Sequence, residues 1–257
     1  MPVPLGAHNA QIADVRDLRE KKGRRAQGRF AFEGPTLLDE AMAAGAQVHA
    51  VYATAQAYER FAQPRTAERA GIPVYLIDKR SLARISDVAT PAGVVSVSSI
   101  ADVPAASLFE SDGLVAILAG VADPGNAGTL LRAAEAFGVD RVLFSGDGVE
   151  PHHPKVVRSA MGALFRLRIA AARPAQAAGL ISGWTVTGLD ASGEPIPGLR
   201  WPSRSALVVG SERRGLGPWA PLCTRLAAIP MRGHAESLNA AVAGAIGLYE
   251  AAKRLQT

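Results

Sequence analysis

Cysteine is nearly absent: Cys223 stands alone, which excludes an internal disulfide framework and any cysteine-rich zinc site and fits a reducing compartment. The common nucleotide fingerprints are missing too. Neither G-x-G-x-x-G nor G-x-x-x-x-G-K-[ST] occurs in the chain, which disfavours a dinucleotide-dependent enzyme. No apolar run approaches the roughly 20 residues needed to cross a bilayer. The opening MPVPLGAHNAQIADVRD has no basic start followed by an apolar stretch, so no signal peptide is expected. Repeats and low-complexity tracts are lacking as well. The expectation is a cytoplasmic protein with no membrane partner.

What the chain does have is apolar residues and unevenly spread positive charge. Its 257 residues are 48% hydrophobic, enough for a substantial core in one or two domains. The formal net charge is +5. The segment RDLREKKGRRAQGR, Arg16 to Arg29, carries seven basic residues against Asp17 and Glu20. It can contact several phosphates, with Arg24 and Arg25 as candidates, or form a solvated helix face laced with ion pairs.

Periodicity divides the chain. EGPTLLDEAMAAGA places Leu37, Leu38, Ala41 and Met42 on one face of a short helix that Gly45 can end. Strands are expected at VHAVYA, PVYLI and GVVSVS, with a polar helix from Tyr58 to Ala70 interrupted by Pro64. Residues 1–98 read as a small α/β domain and 99–112 as a linker rich in Ser, Asp and Pro. From 113 to 257 the alternation restarts with LVAILAG, RVLFSG, RLRIA, TVTGL, SALVVG and RLAAIP as strands. Helices are expected at 123–138, 155–163, 174–182 and 237–254. That pattern is a parallel sheet with helices on both faces.

Ligands of such sheets bind at the carboxyl ends of strands, which singles out three loops. DPGNAGTLLRAAEAFG begins as a loop with Gly125 and Gly128 flanking Asn126, where free backbone N–H groups favour an anion. It reads equally as a well-capped helix, with Asn126 at the N-cap and Gly138 just past the end. In VVGSERRGLGP, Glu212 follows Gly210; in IPMRGHAESLNAAVAG, Ser237 and Asn239 stand near the last helix, where Glu236 and Ser237 also suit plain capping. His152 and His153 have no spaced partners, and no metal is assigned.

Together, NAGTLLRAAEAFG, LVVGSERRGL and IPMRGHAESLNAAVAGAIGLYE resemble the three motifs of the SpoU (TrmH-like) branch of the SPOUT RNA methyltransferases, over about residues 112 to 254. KVVRSAMGALFRL resembles the segment between the first two motifs. The N-terminal part, entered through KKGRRAQGRFAFEG, is similar to the L30e-like substrate-binding domain of rRNA-modifying members. The resemblance implies a C-terminal α/β sheet tied in a deep trefoil knot, a homodimer, and S-adenosyl-L-methionine as cofactor. Gly210, Ile229, Met231 and Leu238 would contact it. The implied reaction is 2′-O-methylation of an RNA ribose, rRNA before tRNA because of the separate basic domain. Arg132 would act at the reacting hydroxyl, with Asn126, Glu212, Ser237 and Asn239 arranging the site. A guanidinium stays protonated, so Arg132 is expected to stabilise developing alkoxide and phosphate charge. Arg158 is a further RNA-binding candidate. The competing reading for Arg132 is an i,i+3 pair with Glu135, and that for the whole chain is a non-enzymatic RNA-binding or ribosome-assembly protein. Two departures stand out: Arg213, where many relatives have glycine, and Ala240 and Ala241, where they often have Val and Ser.

Overall fold

The apolar runs of the second half become the strands of an all-parallel sheet. The computed structural model describes residues 2–6, 9–235 and 237–255. It forms two units, one of Met1–Ile100 with His152–Phe165, the other of Ala101–Pro151 with Arg166–Thr257.

In the first unit the elements are β1 (Val3–Leu5), α1 (Ala10–Asp17), α2 (Lys21–Gln27), β2 (Arg29–Glu33), α3 (Pro35–Ala43), β3 (Val48–Thr54), α4 (Ala55–Arg60), α5 (Ala62–Arg69), β4 (Val74–Ile77), α6 (Lys79–Ile85) and β5 (Val94–Ser99). They build a mixed sheet of order β1-β4-β3-β5-β2. The polar helix breaks at Phe61 rather than at Pro64. Proline fits the first turn of α5, where its missing N–H has no helical partner to lose. The basic segment folds as α1, α2 and the turn between them.

The second unit holds β6 (Gly113–Ala119), α7 (Pro124–Ala136), β7 (Arg141–Phe144), β8 (Arg168–Ala171), α9 (Pro174–Ala177), β9 (Thr185–Pro195), β10 (Arg204–Gly210), β11 (Arg225–Ala228) and α10 (Ala240–Leu255), while α8 (Pro154–Ser159) belongs to the first unit. Its sheet order is β11-β9-β10-β6-β7-β8, parallel throughout. Central β6 is buried on both faces, as its unbroken apolar run requires. Leu130 and Leu131 of α7 are buried, and each such side chain contributes about 1.5–3 kcal/mol. Two residues of the segment read as a linker pack into this core. Leu108 and Phe109 are buried, Phe109 meets Trp184 edge-on, and Arg141 donates to the carbonyls of Leu108, Ser111 and Asp112. A composition dominated by Ser, Asp and Pro hid two buried apolar anchors.

His152 is buried in the first unit, its ring centroid 4.7 Å from that of Phe30. Burial, with Arg24 acting in the same direction, pushes its pKa down from 6.5 to about 4. The unfolded chain therefore takes up a proton that the folded chain refuses, and stability falls as pH drops from 6.5 to 4 and levels off below. The full effect is on the order of 3 kcal/mol. Urea unfolding across this range should show a loss of stability smaller by about that amount in His152→Asn; parallel curves for the two proteins would contradict the assignment.

Candidate active site

Loops leaving β6, β10 and β11 meet at the carboxyl edge of the parallel sheet. The N-cap of α7 is Asp123, whose Oδ1 accepts from the Asn126 N–H at 2.8 Å, with Pro124 as the first helical residue. Asn126, expected at the cap, thus lies in the first turn with its side chain free for other partners. Its Nδ2 donates to Glu212 Oε1, and its Oδ1 accepts from Asn239 Nδ2 at 3.0 Å. Asn239 Oδ1 in turn accepts the N–H groups of Ala241 at 2.9 Å and Val242 at 3.3 Å, capping α10. Glu236 lies outside the described residues. Gly138 follows α7 with φ +74°, as expected of a residue just past a helix end.

A cavity of about 400 Å³ opens beside this relay, within the size range of small-molecule sites. All four expected cofactor contacts line it: Gly210, Ile229, Met231 and Leu238, with Ser237, Glu212 and Asn239. Glycine is required at 210 because a Cβ there would stand 2.4 Å from the Gly215 carbonyl. The apolar side chains of Leu189, Val209, Ile229 and Leu238 suit a flat base, so these residues fit an adenosyl group. Asp190, not anticipated, also lines the cavity and offers a carboxylate. Hydrogen bonds from the side chain and N–H of Ser192 hold its pKa down. Its place directly after the strand run TVTGL was the signal that could have found it.

A second cavity, of about 720 Å³, lies across the turn 211–215 and shares Ser211, Glu212 and Gly215 with the first. Paired main-chain bonds between Ser211 and Gly215 close the turn, and Ser211 Oγ accepts from the Arg214 N–H. The left-handed positions here are Gly215 and Gly217; Arg213 has negative φ, so its replacement of glycine causes no backbone strain. Ala240 and Ala241 are buried.

The arginines separate. Arg132 is exposed on α7, lines neither cavity and has no ion-pair partner among the described residues; Glu135 pairs with Arg166 instead. The i,i+3 reading is thereby removed. Arg24 is a correction to the RNA-binding expectation. It is 3% exposed, and its Nη1 donates to the carbonyls of Leu18 and Arg19, each at 2.7 Å, so it ties α1 to α2 and has no surface to offer a phosphate. Arg25 is exposed, and Arg158 lies 3.6 Å from Asp87. His153 caps α8 through Nδ1. Burial raises the Cys223 pKa to about 11, which keeps the thiol protonated and unsuited to nucleophilic chemistry.

A parallel sheet with an adenosyl-sized cavity and a polar relay at its carboxyl edge, accompanied by a separate mixed-sheet unit, defines a two-unit α/β enzyme with a nucleotide-like cofactor. Residues 113–249 match the SpoU rRNA methylase family, and residues 9–96 match the MRM3-like substrate binding domain. The chain belongs to the SpoU rRNA methylase family and is a methyltransferase that uses S-adenosylmethionine. It is 31% identical to an uncharacterized tRNA/rRNA methyltransferase of Synechocystis sp. over 96% of this chain and 92% of the relative. It is 29% identical to the 23S rRNA (guanosine(2553)-2′-O)-methyltransferase RlmP of Bacillus subtilis, over 95% and 96%. Among solved structures it is similar to the SpoU methyltransferase AviRb of Streptomyces viridochromogenes in complex with the cofactor AdoMet, with TM-score 0.86, 26% identity and coverage of 96% and 98%.

Gly210→Ala should lower S-adenosylmethionine affinity at least tenfold by calorimetry, since the new Cβ meets backbone that cannot step aside. Gly198→Ala, with nothing within 4 Å of the added Cβ, serves as control. Equal affinities would remove Gly210 from the cofactor site.

Proposed function

We propose that the chain transfers a methyl group from S-adenosylmethionine to a ribose 2′-hydroxyl of rRNA, and that it works as a homodimer. The observation that carries this reading is the Asn239–Asn126–Glu212 relay, standing where an adenosyl-sized cavity meets a larger one whose lining includes Asp123, Arg213 and Arg214. When bound, the cofactor supplies an electrophilic methyl group on a sulfonium. Gly210, Ile229, Met231 and Leu238 hold it, and the relay with Ser237 orients the ribose. Alignment of this kind is a major source of rate for a weak nucleophile.

Arg132 stabilises the developing alkoxide and the neighbouring phosphate, while the hydroxyl proton leaves through a phosphate or water. Its exposure, and the lack of an ion pair among the described residues, leave the guanidinium free for this task. The homodimer reading is supported by two exposed faces. Val242 and Tyr249 of α10 are 49% and 47% exposed one heptad apart, and on α7 the stripe Gly125, Thr129, Arg132 and Ala136 is open. Arg132 would therefore reach the reacting ribose across the interface. The trefoil knot belongs to the same reading, in which the segments 211–217 and 229–239 that wall the cofactor cavity are parts of the threaded chain. The first unit, with Arg25 exposed beside Lys22 on α2, docks rRNA.

Arg132→Ala should abolish labelled methyl transfer to protein-free rRNA while leaving cofactor affinity within about twofold. Mixing it with Gly210→Ala should restore part of the activity, because one of the two sites in a mixed dimer then holds both intact parts. An active Arg132→Ala enzyme removes this residue from the reaction. Replacing Lys22 and Arg25 with serine should weaken rRNA binding and reduce the slope of log affinity against log salt by roughly one for each phosphate no longer neutralised. An unchanged slope would return the segment to a solvated helix face.

A further inference from the structure

The pairing of β9 breaks where the 400 Å³ cavity opens. On one side β9 follows β10 only as far as the pair Gly188 and Val208, although β10 runs on to Gly210. On the other side Leu226 of β11 faces Gly188, but the next residue, Ala227, faces Glu194. Residues 189–193 therefore leave the ladder as an excursion, and Leu189, Asp190 and Ala191 line the cavity beside Val209 and Gly210. The excursion is held at both ends. Leu189 packs on α10, its Cδ1 3.1 Å from where a Cβ on Gly247 would stand, and Gly193 lies so close to β11 that a Cβ there would run into the Ala227 nitrogen. Between these ends, Asp190 Oδ1 accepts from Ser192 Oγ at 2.6 Å and from the Ser192 N–H at 3.0 Å. Interruptions of a ladder recur beside active sites, where they re-aim a side chain. The side chain brought to the cavity wall here is a carboxylate.

We propose that Asp190 binds a ribose hydroxyl of the cofactor and makes the site specific for a ribonucleoside. The proposal rests on the cofactor reading of this cavity and adds the residue that reads the sugar. An ionised carboxylate only accepts hydrogen bonds. The two bonds from Ser192 keep Asp190 ionised and occupy Oδ1, so Oδ2 is the atom left for a ligand. Three parts of S-adenosylmethionine could donate to it: the adenine amino group, the α-ammonium group and the ribose hydroxyls. Strand order selects among them. The sheet runs β11-β9-β10-β6. Glu212 follows β10 and Asn126 follows β6, so the reacting end of the cofactor lies to one side of β10 and Asp190 to the other. The α-ammonium hangs from the sulfonium and goes with the reacting end. Adenine goes to the apolar side chains, and its amino group stands beside a ring nitrogen that repels a carboxylate. The ribose joins these two parts, and its hydroxyls donate without setting an acceptor against Asp190. An acidic side chain on a ribose hydroxyl is the solution that other nucleotide-binding parallel sheets reach near a strand end.

Calorimetry with S-adenosylhomocysteine and its 2′-deoxy and 3′-deoxy analogues tests this, because the spent cofactor carries the same ribose and its binding needs no RNA. One of the two analogues should bind the unaltered protein about 10- to 150-fold more weakly than the parent, the span of a hydrogen bond to a charged group. In Asp190→Ala the parent should weaken by a similar factor, and the ratio between parent and that analogue should fall close to one. Asp190→Asn, whose one acceptor oxygen is claimed by Ser192, should give an intermediate ratio. A ratio that survives in both variants overturns the assignment, since mere collapse of the excursion weakens every ligand alike and leaves the ratio intact. Equal binding of all three ligands by the unaltered protein overturns it as well, while the cofactor reading stands. Failure of the unaltered protein to bind S-adenosylhomocysteine would remove the cofactor reading of the cavity and this inference with it.

Discussion

The site depends on a chain of hydrogen bonds that starts at the first turn of α10 and ends on a carboxylate. Two main-chain N–H groups of the helix fix Asn239, Asn239 fixes Asn126, and Asn126 fixes Glu212. These three side chains come from the first turn of α7, the turn after β10 and the residue that caps α10, and none of them alone marks a site. Amides suit the two inner positions because each has a donor and an acceptor on one planar group, so it can pass orientation onward. An aspartate at 126 could not donate to Glu212 and would set two carboxylates against each other.

The cap of α7 makes the relay possible. Because Asp123 takes the N–H of Asn126, the Asn126 side chain is released from the capping duty its position suggested. The turn 211–215 then needs its left-handed geometry at Gly215 and Gly217, not at residue 213. Arginine can replace glycine at 213 without strain, and the substitution adds a cation to a cavity wall while leaving the turn intact.

Much of this was legible in the chain. Unbroken apolar runs such as LVAILAG announce strands covered on both faces, and the rule that ligands gather at their carboxyl ends singled out the three loops, within which the family resemblance pointed to Asn126, Glu212 and Asn239. Positions that lie on one wall through the folding of remote loops were harder to see. Asp190 follows a strand run just as Asn126 does, but no glycine flanks it to draw attention. Arg24 misled for a different reason. A basic cluster reveals charge but not direction, and burial turned this arginine inward onto two carbonyls. Local composition also failed at Leu108 and Phe109, where two apolar residues outweigh a polar neighbourhood.

The two cavities are divided by one short turn, with Ser211, Glu212 and Gly215 facing both. A ligand that shifts this turn on one side changes the shape met on the other. Thermodynamic linkage makes any such effect reciprocal: the factor by which RNA alters cofactor affinity equals the factor by which cofactor alters RNA affinity. A partition this thin would therefore make the order of assembly a property of the turn itself. Whichever molecule arrives first would stiffen the wall for the second, and departure of the spent cofactor would loosen the enzyme's hold on the methylated RNA.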